Sequence, residues 1–494
     1  CCGKPADSTA DDGDGISGLA AAHHVTKSDA AANVTVFEAG NRCGGVIGTE
    51  HADGFQIELG PDSLLKALPW GVGLCQRLGI ENELIGTDTT HQKTWILRSG
   101  KLRPLPDGLA IMAPRRIWPT VKSPILSIPA KLRMACEWFV RQKSDDTDES
   151  LASFASRRFG REAFERLIQP LVSGIYMADP RKLSMRAALP RFMEMEAKHG
   201  SLIRAARHAV REQQQRERSG TAEGNGGMFV TPQTGVGRIV EAIIRRLPKD
   251  SLRLNSPVCG LARAATGGWN VSVADGPPEH FDGVIVATPS DKAARLLVNE
   301  NKSLSLELNS IAHSGCVVVT LAYNRDDVHH PLDGHGFVIP QVENRDMIAC
   351  TFSSVKYAGR APDGQVLLRV YLGGATRPEA LNYDDDQVLQ VVARELNPLL
   401  GIQGTPQLTR VVRWPNVMPQ YHVGHLELMD RVDAQVAKLA GVELAGNSYR
   451  GVGIPHCIHS GEQAAERLLE FMSANQQAGT PVVSFNGRKM GAGK

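Results

Sequence analysis

The pattern G-x-G-x-x-G at Gly13, Gly15 and Gly18 restricts the fold of this chain more than any other feature. Glycines at this spacing let a tight turn approach a pyrophosphate, and the helix that opens on the last of them meets the phosphate charge with its N-terminus. The pattern needs a buried strand in front of it, because the strand aims the turn. The preceding residues read KPADSTADD, with Asp7, Asp11 and Asp12 where apolar side chains would be expected. The residues after the glycines support the nucleotide reading. An alanine-rich, helix-like stretch covers Gly18 to Val25, and NVTVFEAG (33–40) alternates like a strand and closes on Glu38. A carboxylate about twenty residues beyond the glycines is placed to accept hydrogen bonds from both ribose hydroxyls of an adenosine.

A second glycine turn comes at once, Arg42-Cys43-Gly44-Gly45, followed by Gly48, Gly54 and ELGPDS (58–63). It reads either as a second pyrophosphate-facing loop or as a tight connection between strands. Further on, Leu64 to Leu78 is expected to be helical, and WILRSGKLRPLPDG (95–108) reads as a hairpin around Ser99-Gly100. Residues 114–143 carry seven basic side chains against one acid, Glu137, interleaved with Ile117, Trp118, Ile128, Trp138 and Phe139. That stretch fits a solvated domain surface, or a membrane interface with Trp118 and Trp138 at headgroup depth. At 494 residues the chain is expected to divide into two or three domains. A net charge of +2 and 5% aromatic residues argue against a nucleic-acid partner. Nine scattered cysteines without a C-x-x-C pair point to reduced thiols, and no metal-ligand cluster is visible. The chain opens Cys1-Cys2 without an initiating Met, so a processed, truncated or replaced start is expected.

The run from GISGLAAA through VTVFEAGNRCGGVIGTEHADGFQIELGPDS resembles the amine-oxidase-like flavoproteins. FGREAFERLIQPLVSGIYMADPRKLSM, PQTGVGRIVEAI, DGVIVATP, FSSVKYAGRAPDGQVLLRVYLGGA, PQYHVGH and LAGNSYRGVGIPHCIHSGEQAA narrow the resemblance to the protoporphyrinogen oxidases within them. The resemblance implies a mixed α/β chain with a Rossmann-type FAD-binding domain of p-hydroxybenzoate-hydroxylase-like topology. That domain would be discontinuous, using residues 1–92, 211–300 and 426–475. A mixed-sheet substrate domain would take a hairpin from 93–110 and the body of 301–425, a helical membrane-docking insertion 111–210, and a disordered tail 476–494. The FAD side would include Gly13, Gly15, Gly18, Glu38, Arg42, Gly45, Gly60, Val258, Gly446, Val452 and Gly453.

The implied reaction oxidises protoporphyrinogen IX to protoporphyrin IX with FAD and molecular oxygen, releasing hydrogen peroxide. Coproporphyrinogen III is the alternative substrate, and a degenerate homologue with impaired FAD binding the alternative to an active enzyme. The Gly174 backbone carbonyl would face the macrocycle, Phe337 and Val338 would wall the pocket, and Lys93 or Arg98 would supply a cation for a propionate. The resemblance further implies a cytoplasmic protein in peripheral contact with the inner membrane, no metal, and leaves a homodimer open. This chain departs from the family pattern in its acidic first segment, at Thr94 where an Arg is common, and at His456 where an acid is frequent. A replaced or misread N-terminus accounts for the first departure better than general decay, since the rest of the pattern is intact.

Overall fold

The computed structural model describes residues 15–477 except 30–31, 111, 115–116, 144, 146, 219–226 and 275. Gly13, the acidic residues before it and most of the expected tail lie outside the described residues.

Helix α1 (Ile16–Ser28) forms from the alanine-rich run and buries Leu19, Ala20, Ala21 and Ala22. The chain returns as strand β1 (Val36–Phe37), then the antiparallel pair β2 (Thr49–Ala52) and β3 (Phe55–Glu58). The helix expected from Leu64 starts later. Leu64 and Leu65 pair with Phe229 and Val230 as strand, and the helix runs Pro69–Arg77. Proline, whose fixed φ and missing N–H suit a helix start, sets that boundary. Strands β4 (Thr94–Arg98) and β5 (Lys101–Pro104) make the expected hairpin. Ser99 and Gly100 both take positive φ, 49° and 74°, the pair of left-handed residues that a two-residue turn needs to match strand twist.

A helical layer follows, including α2 (Ile128–Ala135), α3 (Leu151–Phe159), α4 (Gln169–Tyr176) and α5 (Leu202–Arg218). The chain then gives β6 (Leu252–Arg253), β7 (Val258–Arg263), β8 (Val284–Val286), β9 (His313–Asn324), β10 (Gly336–Val338), β11 (Met347–Phe352), β12 (Gln365–Gly373), β13 (Leu408–Pro419) and β14 (Val442–Leu444). It ends on α6 (Ile454–Gln477).

Of the seven sheets among the described residues, three bear on the site. Parallel pairs β1–β6 and β8–β14 form the nucleotide layer, with α1 packed against both β1 and β8. The larger sheet has seven strands in the order β13-β9-β12-β11-β10-β4-β5, antiparallel except where β10 meets β4. The fold is therefore mixed α/β with a mixed sheet, as expected, and the early hairpin is its far edge.

Inside the helical layer, the single acid of the basic stretch is buried. Glu137 and Arg158 are both fully enclosed and ion-paired. Arg158 also donates to the carbonyls of Val140 at 3.0 Å and Gly200 at 2.9 Å, and Glu137 accepts from the Leu202 backbone N–H at 2.9 Å. Removing Glu137 leaves Arg158 with Glu196 alone, at 3.1 Å, and takes the acceptor from the Ser201 hydroxyl and the Leu202 N–H in a low-dielectric core. Trp138 is half-buried beneath two guanidiniums rather than standing out as an interface anchor, whereas Trp118 is 74% exposed. Glu137→Leu is expected to destabilise the helical layer by about 3–5 kcal/mol, seen as an early, separate loss of structure in thermal or denaturant unfolding, while Glu165→Leu on the surface leaves it in place.

Candidate active site

The nucleotide side is assembled from backbone. Gly15 stands at the start of α1 with ordinary extended dihedrals, φ −69° and ψ −174°, and forms a parallel bridge with Gly44. The two glycine turns seen in the sequence are thus one structure. Gly44 and Gly45 take φ of 103° and 56°, and a Cβ on Gly44 would lie 2.9 Å from the Ile47 carbonyl oxygen. Among the described residues a Cβ on Gly15 would meet nothing within 4 Å, and the same holds at Gly446, on the chain's other end. Gly15 therefore opens onto free space where the α1 N-terminus carries its partial positive charge, and Gly446 is tied to the last helix by its N–H donating to the Ser460 hydroxyl at 3.1 Å. Gly18 sits half-buried in the first turn of that helix.

Glu38 ends β1 in a buried position, with Oε1 accepting from the Gly40 N–H at 2.7 Å. Its backbone carbonyl takes the Ser256 N–H at 2.8 Å, which sets the start of β7, and with it Val258, beside the carboxylate. Arg42 folds back over its own turn, donating to the carbonyls of Gly45 at 2.7 Å and Ile47 at 3.0 Å. Burial lowers its pKa, and the Glu38 carboxylate opposes that shift. Arg42 is thus a brace of the glycine turn. Gly60 lies so close to Val46 that a Cβ would stand 2.0 Å from the Val46 carbonyl oxygen. The tail loop closes the site. Gly451 N–H donates to the Tyr421 hydroxyl at 2.7 Å, Val452 packs on the helical core, and the Gly453 carbonyl starts α6 by accepting from Cys457.

The larger sheet provides the other wall. Side chains alternate between its faces. Register aligns Ile96, Val338, Ala349 and Tyr371 across four strands, so they share one face. Val338 and Ile96 pack with the helical layer, and a Cβ on Gly174 would touch Val338 at 3.9 Å. Gly174 is exposed in the last turn of α4, and among the described residues no backbone N–H beyond the helix donates to its carbonyl. Tyr371 packs against the buried Cys316, Val318 and Trp414, the same trio on which Val46 and Met177 rest; burial pushes its phenol up to about 12, so it stays neutral.

Two expected pocket residues fall elsewhere. Phe337, one residue from Val338, points to the opposite face and is buried in the core with Phe352 and Leu368. Lys93 precedes Thr94 and has the wrong parity for the Ile96 face; it pairs with Asp333 at 2.5 Å and lies over the Trp95 ring. Arg98 does share the Ile96 face but stands 3.5 Å from Glu162, which is itself held by Ser127. Neither cation is left free for a propionate in this arrangement.

A cavity of about 550 Å³ runs beside α4, lined by Ser173 and Met177 on the helix and by Ile348, Gly373 and Gly374 on the sheet side. Four arginines line it, Arg161, Arg181, Arg345 and Arg377, against one acid, Glu165. Arg161 pairs with Glu165 and Arg181 with Asp179. Arg377 reaches Asn344 and Glu379. Half-buried Arg345 has no hydrogen-bond or ion-pair partner among the described residues. Sequence reasoning missed Arg345, Arg377 and Tyr371. The last two lie in or beside the quoted VLLRVYLGGA run and could have been singled out there, whereas nothing local marks Arg345.

A buried carboxylate at a strand end, a helix N-terminus and glycines facing open space fit a dinucleotide cofactor, which Gly15, Gly18 and Glu38 would hold. The fold and site define the class as a dinucleotide-binding protein with a second, seven-stranded sheet. The family model described as flavin containing amine oxidoreductase matches residues 16–469. A coproporphyrinogen III oxidase of Bacillus subtilis is 33% identical over 93% of this chain and 97% of its own length. A chloroplastic protoporphyrinogen oxidase of Arabidopsis thaliana is 30% identical over 93% and 88%. An Exiguobacterium crystal structure assigned as a protoporphyrinogen oxidase superposes with a TM-score of 0.82, 28% identity and coverage of 93% and 98%. A putrescine oxidase, at a TM-score of 0.65 and 14% identity over 93% and 98%, shares the fold. The chain belongs to the flavin containing amine oxidoreductase family and is an FAD-dependent oxidase.

Gly15→Val is expected to fold, since the position has ordinary dihedrals and room. Its branches project toward the groove, so FAD retention should fall by about tenfold or more, read from the visible flavin band of the purified protein. Gly44→Val, at φ 103°, should instead lower thermal stability as well.

Proposed function

We propose that the protein oxidises a porphyrinogen to a porphyrin, with coproporphyrinogen III as its substrate. The observation that carries this reading is the exposed carbonyl end of α4 at Gly174, set over the Val338 face and beside an arginine-lined cavity. FAD held at the glycine groove would supply the hydride acceptor for each of three two-electron oxidations, in which a meso-carbon hydride and a proton leave the macrocycle and one molecular oxygen is reduced to hydrogen peroxide.

The chain's own contribution is positioning and electrostatics. Gly174 offers a carbonyl that can accept a pyrrole N–H, holding a ring of the macrocycle in place. The negative end of the α4 dipole, with the Gly174 carbonyl in its last turn, stabilises the positive charge that develops on the macrocycle as hydride leaves. Val338 and Tyr371 form an apolar wall for the ring system. The arginines of the neighbouring cavity receive propionates, and Arg345 is the cation with its charge uncompensated. Coproporphyrinogen carries more propionates than protoporphyrinogen, so this basic lining favours it, in line with the names of the relatives at 31–33% identity. Protoporphyrinogen IX is the second reading, supported by the plant relatives.

Residues 117–139 are further proposed to meet an anionic membrane peripherally. Trp118, Ile128, Leu132 and Phe139 stand exposed there among Lys122 and Lys131. Among the described residues no helix is long and apolar enough to cross a membrane.

Porphyrin fluorescence from each porphyrinogen tests the substrate. Flavin-loaded protein that generates fluorescence from neither would reject the reading. Arg345→Ala is expected to raise KM for coproporphyrinogen by about tenfold, a charged hydrogen bond's worth, with kcat and the protoporphyrinogen KM little changed. Trp118→Ser with Phe139→Ser should reduce pelleting with phosphatidylglycerol vesicles; unchanged pelleting would remove the membrane contact.

A further inference from the structure

The helical layer holds a second cavity, of about 320 Å³, which shares no lining residue with the cavity beside α4. Its walls are mostly apolar, from Val121, Met134, Trp138, Phe139 and Ile203. Val121 and Phe139 are also exposed, Phe139 at 82%, so the hollow opens to the surface between them. A monomeric protein has little reason to keep an open apolar hollow ringed by exposed apolar side chains unless something enters it.

The charge around the hollow is of one sign. Lys131 and Arg207 line it, and neither has a carboxylate partner among the described residues. The Arg207 and Arg204 guanidiniums lie 5.1 Å and 4.8 Å from the Trp138 ring centroid, which fixes them over one wall. Glu137 cannot neutralise them, because it is turned inward to Arg158 and the Ser201 hydroxyl. An apolar hollow with fixed, unpaired cations at its edge matches a molecule with a hydrocarbon tail and an anionic head.

We propose that this cavity takes one acyl chain of an anionic membrane lipid, with Lys131 and Arg207 holding the headgroup. The inference rests on the membrane contact proposed above and goes beyond it. Surface adsorption needs only exposed side chains, whereas this site holds a single lipid in a defined place.

The probe is n-dodecyl phosphate kept below its micelle concentration, titrated calorimetrically into the flavin-loaded protein. One saturable site is expected, with the net-neutral n-dodecyl phosphocholine binding at least about tenfold more weakly. Ile203→Trp fills the hollow and should abolish binding. Lys131→Glu with Arg207→Glu leaves the hollow intact and should weaken the phosphate by about tenfold or more while sparing the zwitterion. The double variant keeps the test valid should Ile203→Trp disturb the layer, which circular dichroism would report. Absence of saturable binding, or equal binding by the charge-reversed variant, overturns the proposal. Phosphatidylglycerol vesicle pelleting, run in parallel, separates the two ideas. Pelleting without a dodecyl phosphate site leaves the membrane contact standing and removes the lipid site. A dodecyl phosphate site without pelleting overturns the assignment of its occupant to a membrane.

Discussion

Backbone lying directly on backbone is the constraint on which the nucleotide half of this protein depends. Gly15 bridges Gly44, Gly60 crowds the Val46 carbonyl, and Gly461 in α6 lets that helix approach the Ser17 carbonyl to where a Cβ would stand only 2.1 Å away. At Gly60 and Gly461 the contact admits no side chain. The Gly15–Gly44 and Gly461–Ser17 contacts meet at the start of α1, and Gly60 packs onto the second glycine turn, so residues from the two ends of the chain come together there. Where glycine leaves space instead of contact, at the Cβ position of Gly15, the groove is open among the described residues. Close approach and open space are two uses of the same absent Cβ.

The half built on the seven-stranded sheet depends on the two-residue period of a strand. Val338 and Phe337 differ by one position and face opposite sides, one toward Gly174 and the other into the core beneath the sheet. The same alternation puts Arg98 on the Ile96 face and keeps Lys93 off it. It also carries Tyr371 onto the same face as Ile96 and Val338, three strands from the hairpin, where it packs on the buried cluster that Val46 of the glycine turn also meets. A shared face, produced by register, brings together residues that are far apart in sequence.

Charge follows a third rule, that buried ions are matched. Glu137 is matched with Arg158. Asp62, behind the Gly60 loop, is matched by Lys356 and Arg369. Burial alone would push that carboxyl up, but the two cations outweigh it and hold it well below the usual range. Against this background of paired ions, Arg345, Lys131 and Arg207 stand out. Each adjoins a cavity and lacks a counter-ion among the described residues. Long basic side chains are common on any surface, so it is the cavity beside each one that gives the missing partner its meaning.

Local chemistry made much of this protein legible in its sequence. The glycine turns, the alanine-rich α1, Glu38 at a strand end and the Ser99-Gly100 hairpin were readable because each depends on neighbours within a few residues. So was the tail loop from Gly446 to Gly453, through its resemblance to a family pattern. Local patterns could not tell which face a strand residue presents, which is why Phe337 and Lys93 were expected in a pocket that neither lines. Nor could they show that Glu137 is buried with Arg158, that Trp138 lies under two guanidiniums, or that Arg345 is left unpaired. Those outcomes depend on partners supplied by other elements, from twenty to hundreds of residues away, and only the packed chain brings those partners within reach.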